Sequence, residues 1–189
     1  HLSAALAVLD QPAERDAVTK AVVNWKADEL EQAIVGQGGC AAAMRSLTDW
    51  AQHPQGRAVS TEPLLQVDEW SRGYKDEAAI KPERPLEGIK ILDLTRVLAG
   101  PVAGRFLAGF GADVLRIDPP TWSEPAAELE VTLGKRCARL DLRQAADLAL
   151  FKQRLAECDV LLHGYRPGAL DSLGLGEAIR REINPNAID

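Results

Sequence analysis

Cysteine is scarce in this chain: Cys40, Cys137 and Cys158 are the only three, odd in number and far apart. They match no zinc pattern, so no metal is expected. Each reads as a small buried hydrophobe in a reducing, cytoplasmic setting. Positive charge is also short, with 22 Lys and Arg against 28 Asp and Glu and a net charge of −6. No general attraction to nucleic acid or to an anionic membrane follows, although a local basic cluster can still hold a small anion. No apolar run approaches the roughly 20 residues of a membrane span, and no signal-peptide architecture is visible. An initiating methionine is missing too. The sequence starts at His1 and stops at Ala187-Ile188-Asp189, where a new apolar strand begins, so it reads as a piece of a longer polypeptide.

What is present is ordinary globular material, 46% apolar and 26% charged, in 189 residues. That length allows one domain with a real core, or one domain and a fragment. The best organised stretch runs from Gly88 to Asp118, GIKILDLTRVLAGPVAGRFLAGFGADVLRID. Ile89, Ile91, Leu92 and Leu94 make an apolar run of strand length. Ala103, Phe106, Leu107 and Phe110 recur at helical spacing, and Ala112 to Ile117 returns as a second strand. A strand, a helix and a strand within about 30 residues form a βαβ unit, with parallel strands and a right-handed crossover. Ligands of such sheets bind beyond the carboxyl ends of the strands. Here that place belongs to Thr95, Arg96, Val97, Leu98, Ala99, Gly100 and Pro101, a loop leading into a helix N-terminus that favours an anion.

Further strands are expected over Cys137–Leu142 and Asp159–Leu162, with helices over Gln144–Glu157 and, in short pieces, Ala169–Leu173 and Glu177–Ile183. Strands alternating with helices predict an α/β fold with a Rossmann-like, mainly parallel sheet. Before it, residues 1–67 read as a smaller, mostly helical segment. It has a helix from Pro12 towards Trp25, a helical face at Leu30, Ala33 and Ile34, and a capping box at Ser46 and Asp49. Short strands are expected at Cys40–Met44 and Pro63–Val67. Residues 68–84, mostly polar and carrying Pro82, read as a linker, and residues 85–189 as the second domain.

The stretches PLEGIKILDLTRVLAGPVAGRFLAGFGADVLRID, GKRCARLDLR and DVLLHGYRPGALDSLGLG, in that order, resemble the opening of the class III CoA-transferases. That family includes formyl-CoA and carnitine CoA-transferases and α-methylacyl-CoA racemase. The resemblance covers Arg84 to about Ile188. A weaker one, over about residues 18–65, is to a segment found late in family members, so a tail of one family-like half precedes the head of a second. The resemblance implies a Rossmann-like large domain, interlocked ring-shaped dimers or an intramolecular pseudo-dimer, and coenzyme A carried as acyl-CoA, with a small carboxylic acid as the other substrate.

By the resemblance, Arg96, Val97, Leu98 and Ala99 match positions that contact CoA, and so do Leu140 and Arg143. Gly164, Tyr165 and Arg166 correspond to the family's Asn-Phe-Arg ahead of Pro-Gly, where Tyr165 would stack on adenine. Two departures weaken the match: Gly164 lacks the asparagine side chain, and Pro119 stands where one member has an arginine for CoA. The bland reading of Arg96 is a pairing with a surface carboxylate. His163, where members often carry Glu, reads as structural. The family's nucleophilic aspartate comes after the strand that begins at Ala187, so no catalytic residue is assigned and the fragment alone is expected to be inactive. A racemase shares this opening. A non-catalytic scaffold half is a further alternative, as is a dinucleotide-binding dehydrogenase module with Asp118 as its ribose acid. Against the last, Leu98–Gly104 lacks G-x-G-x-x-G.

Overall fold

The structure is a computed structural model that describes residues 1–69 and 83–189. Its contacts divide the chain into two compact units, His1–Val67 and Asp68–Asp189. The linker expected over residues 68–84 lies largely outside the described residues.

The amino-terminal unit is helical: α1 (Leu2–Leu9), α2 (Arg15–Val22), α3 (Ala27–Gly36), α4 (Leu47–Gln52) and α5 (Pro54–Ser60). The capping box forms. Ser46 Oγ accepts from the Asp49 amide at 3.1 Å and donates to the Asp49 carboxylate at 2.6 Å. The helix expected from Pro12 to Trp25 is narrower, Arg15–Val22. Cys40–Met44 is not a strand. It is irregular, pinned where the Glu31 carboxylate accepts from the Ala43 amide at 2.8 Å, and Met44 is fully exposed. Pro63–Val67 is not a strand either, and Leu64, Leu65 and Val67 face solvent. A strand needs a ladder partner, and the described elements of this unit are helices that offer no edge to pair with.

The carboxyl-terminal unit holds the sheet. Its strands are β1 (Lys90–Asp93), β2 (Asp113–Asp118), β3 (Arg136–Arg139) and β4 (Val160–Leu162), all parallel, in the order β3-β2-β1-β4. Between them run α6 (Ala99–Gly109), α7 (Glu128–Thr132) and α8 (Ala145–Glu157), and α9 (Glu177–Ile183) follows. Alternation along each strand sends side chains to opposite faces. Leu92, Leu94, Ile117 and Leu161 pack with Phe151 and Leu155 of α8, and Ile91 and Val114 pack with Ala108 of α6. Both faces are therefore covered, as a parallel sheet requires. The strand expected over Cys137–Leu142 leaves the ladder after Arg139, and the Leu140 amide then donates to the Asp118 carbonyl at 3.0 Å. The apolar end of the chain meets β4 in a parallel bridge, Ile188 to Val160.

The chain winds outward from β1 through β2 to β3, then crosses back to add β4 on the other side of β1, so the direction of winding reverses at β1. The crevice beyond the carboxyl ends opens there.

Candidate functional site at the carboxyl ends of the strands

The site is founded on a buried charge pair. Asp93, the last residue of β1, and Lys135, just before β3, lie 2.6 Å apart with neither side chain exposed. Lys135 Nζ also donates to the Pro101 carbonyl at 2.8 Å. The Thr95 amide donates to Asp93 Oδ1 at 2.9 Å, and the Thr95 hydroxyl donates to the same oxygen. Strand end, loop and first turn of α6 are thus tied to one carboxylate. The helix itself starts earlier than its apolar spacing suggested, at Ala99. Pro101 sits in the first turn, where a missing N–H costs little. No side chain caps this N-terminus; Leu98 is its cap residue.

Arg96 leaves the loop into the crevice. Its guanidinium lies over two rings, with Cζ 5.4 Å from the Trp122 ring centre and 5.3 Å from that of Tyr165. Nη1 donates to the Tyr165 hydroxyl at 3.0 Å, and Nε is 3.6 Å from the Asp118 carboxylate. Rings hold a guanidinium face-on while its edge stays usable for a bidentate anion. Asp118 is itself engaged by Arg116, at 2.7 Å from Nε. Arg116 is 2% exposed and also reaches Glu124 at 2.7 Å. Burial pushes the Glu124 carboxyl up, but the hydrogen bonds from Arg116 and from the Val97 amide outweigh it and hold the group below the ordinary carboxylate range.

Of the residues singled out from sequence, Arg96, Leu140, Arg143 and Tyr165 line one cavity of about 230 Å³, together with Pro119, Thr121 and Asp141. Arg143 stands at its rim, exposed, with its Nε 2.8 Å from Asp141. Val97 and Leu98 are exposed at the turn, and Ala99 opens the helix. Gly164 and Arg166 flank Tyr165 at the surface without lining the cavity. A Cβ on Gly164 would meet nothing within 4 Å, so the site has room for the side chain that glycine lacks. The Tyr165 ring has Arg96 Cζ 5.3 Å from its centre and the His163 ring at 6.3 Å, and it packs against the apolar cluster beneath the sheet. His163 pairs with Asp189 at 3.2 Å.

Sequence reasoning missed Trp122, Glu124, Arg116, Asp93 and Lys135 as parts of this site. One signal was available. Arg116 interrupts the apolar run of Val114, Leu115 and Ile117 in β2, and a buried guanidinium demands carboxylates.

Comparison with known proteins decides the family. The profile described as CoA-transferase family III matches residues 86–188, more than half of the chain. The chain belongs to CoA-transferase family III. Among curated relatives, an acyl-CoA transferase of Gibberella moniliformis is 34% identical over 165 residues, covering 84% of this chain and 29% of the relative. Human succinyl-CoA:glutarate CoA-transferase is 37% identical over 118 residues, 56% of this chain and 27% of that one. A crystal structure of a hypothetical protein from Mycobacterium tuberculosis superposes with a TM-score of 0.52 at 33% identity, covering 57% of this chain and 33% of that one. This CoA-transferase family chain thus spans about 30% of the length of these relatives. In it, Asp118, the candidate ribose acid of the dinucleotide reading, is engaged by Arg116 and Arg96 instead.

Proposed function

We propose that residues 85–189 carry part of the coenzyme A site of a CoA-transferase, which moves CoA between an acyl-CoA and a small carboxylic acid. The observation that carries this is the convergence of Arg96, Leu140, Arg143 and Tyr165 on one cavity at the carboxyl ends of the strands, in a chain of this family. CoA brings a diphosphate and a 3′-phosphate. Two arginines beside an uncapped helix N-terminus suit such a ligand despite the net negative charge. The relatives, transferases of succinyl-CoA and other acyl-CoA, favour transfer over racemisation. None of this chain's carboxylates is assigned as the nucleophile.

The amino-terminal unit fits the tail of one family-like half, joined through residues 68–84 to the head of a second. Supporting this, 84% of the chain is more than residues 86–189 hold, so the similarity to the Gibberella moniliformis protein extends into the amino-terminal residues. Such a fusion would set the two halves in one polypeptide as a pseudo-dimer.

Calorimetric titration of CoA and dephospho-CoA into the full-length protein tests the site. Arg96→Ala is expected to weaken CoA binding by about 1.5–3 kcal/mol, the scale of a hydrogen bond to a charged group. Arg143→Ala, exposed and already paired with Asp141, is expected to cost less, under about 1 kcal/mol. Arg57→Ala, in α5, serves as control. Wild-type affinity in both crevice variants would refute the assignment.

A further inference from the structure

Among the described residues, Asp10 and Val97 alone carry a side chain at positive φ, and for Val97 φ is 71°. Left-handed backbone crowds a β-branched side chain, so a valine there is an outlier that persists only where its surroundings over-determine it. The surroundings are specific. The Val97 amide donates to Glu124 Oε1 at 2.7 Å, and the other oxygen of that carboxylate accepts from Arg116 Nη2 at 2.7 Å. Arg116 continues to Asp118, and Asp118 to Arg96, so the chain of contacts closes on the residue beside Val97.

Glu124 is itself fixed. Its carbonyl accepts from the Ala127 and Glu128 amides at 2.9 and 2.8 Å at the start of α7. The preceding residues are pinned by Arg139, which donates to the carbonyls of Trp122 at 2.7 Å and Pro120 at 3.2 Å. A carboxylate held at both backbone and side chain, in a segment without regular structure, faces the one amide that needs restraint.

We infer that Glu124, clamped by Arg116, is a positioning residue of the CoA site: it holds Val97 in the turn that aims the Arg96 guanidinium into the crevice. This rests on the CoA reading above. It gives Val97 a defined part, which is to shape the turn, since its amide is already engaged and does not serve a phosphate.

The test is a double-mutant cycle read by calorimetric titration of CoA in the full-length protein. Glu124→Ala is expected to weaken CoA binding about tenfold or more, the equivalent of one charged hydrogen bond. Glu124→Gln, which keeps a carbonyl oxygen for the Val97 amide, should restore most of that loss. In an Arg96→Ala background, Glu124→Ala should change nothing further, because it acts through Arg96. Three results would each overturn the proposal: Glu124→Ala binding CoA as wild type does, binding it more tightly, or adding its full loss on top of Arg96→Ala. Should Glu124→Ala melt too early to titrate, Glu124→Asp, too short to reach both partners, is judged by the same criteria. If the wild type itself binds no CoA, it is the functional reading that fails. Amide exchange then decides the positioning role: Val97 must exchange faster in Glu124→Ala while Leu92 and Leu94 keep their protection, and unchanged exchange at Val97 refutes it.

Discussion

Lys135 has its ammonium group 2.6 Å from Asp93 and 2.8 Å from the Pro101 carbonyl, with no exposure of either charged side chain. Two charges taken out of water are costly, and removing one partner leaves the other uncompensated. Lys135→Met is therefore expected to destabilise the protein by about 3–5 kcal/mol. The double variant Asp93→Asn/Lys135→Met is expected to recover part of that loss. Urea unfolding monitored by circular dichroism checks both. A double variant as unstable as the single one would show that packing, not charge, sets the cost. Nothing in the local sequence announced the pair, because Lys135 reads as a polar lead-in to β3 and Asp93 as the end of β1. The place of Arg96 in the loop after a strand, at the mouth of the crevice, was legible. Its contact with the Trp122 ring was not, because Trp122 lies in a stretch without period.

At the level of the element, α6 is placed by two glycines one turn apart. A Cβ on Gly100 would stand 2.3 Å from the Thr95 Cβ, and one on Gly104 would stand 2.6 Å from the Asp93 carboxylate and 2.8 Å from Lys135 Nζ. The helix can approach the end of β1 only where these side chains are missing. Gly104→Ala is expected to cost about 1–3 kcal/mol as the pair is forced apart. Gly109→Ala, in the same helix with nothing within 4 Å, is expected to be neutral or to stabilise by up to about 1 kcal/mol through helix propensity. Chemical denaturation of the two variants side by side measures this, and equal effects would refute the close-approach role. The existence of α6 was readable from the spacing of Phe106, Leu107 and Phe110. Its start at Ala99 was not, because glycine and proline in the first turn mimic a loop.

Across the whole carboxyl-terminal unit, one apolar cluster joins β1, β2, β4, α8 and the segment that ends at Ala187. Phe151 lies in it with no exposure. Phe151→Ala is expected to cost about 3–5 kcal/mol. Because the cluster is continuous, amide exchange should then accelerate together at Leu92, Leu115 and Leu161. Acceleration confined to α8 would show that the sheet is not one cooperative body. The parallel order of this sheet follows from strands and helices that alternate in sequence, since parallel neighbours need crossover connections. No such alternation stood behind Cys40–Met44 and Pro63–Val67, where apolar composition alone suggested strands that do not form.

The sequence by itself determined what depends on neighbours along the chain. Apolar periodicity marked β1, β2, α6 and α8, the Ser46–Asp49 spacing marked a helix start, and the ordered motifs marked the family. Only the tertiary structure decided what depends on distance through space. Glu124 meets the Val97 amide across 27 positions of chain, and Lys135 meets Asp93 across 42. A charged side chain looks alike in sequence whether it is solvated or buried against a partner. The difference is made by desolvation, and desolvation exists only once the sheet and its helices have closed around the pair.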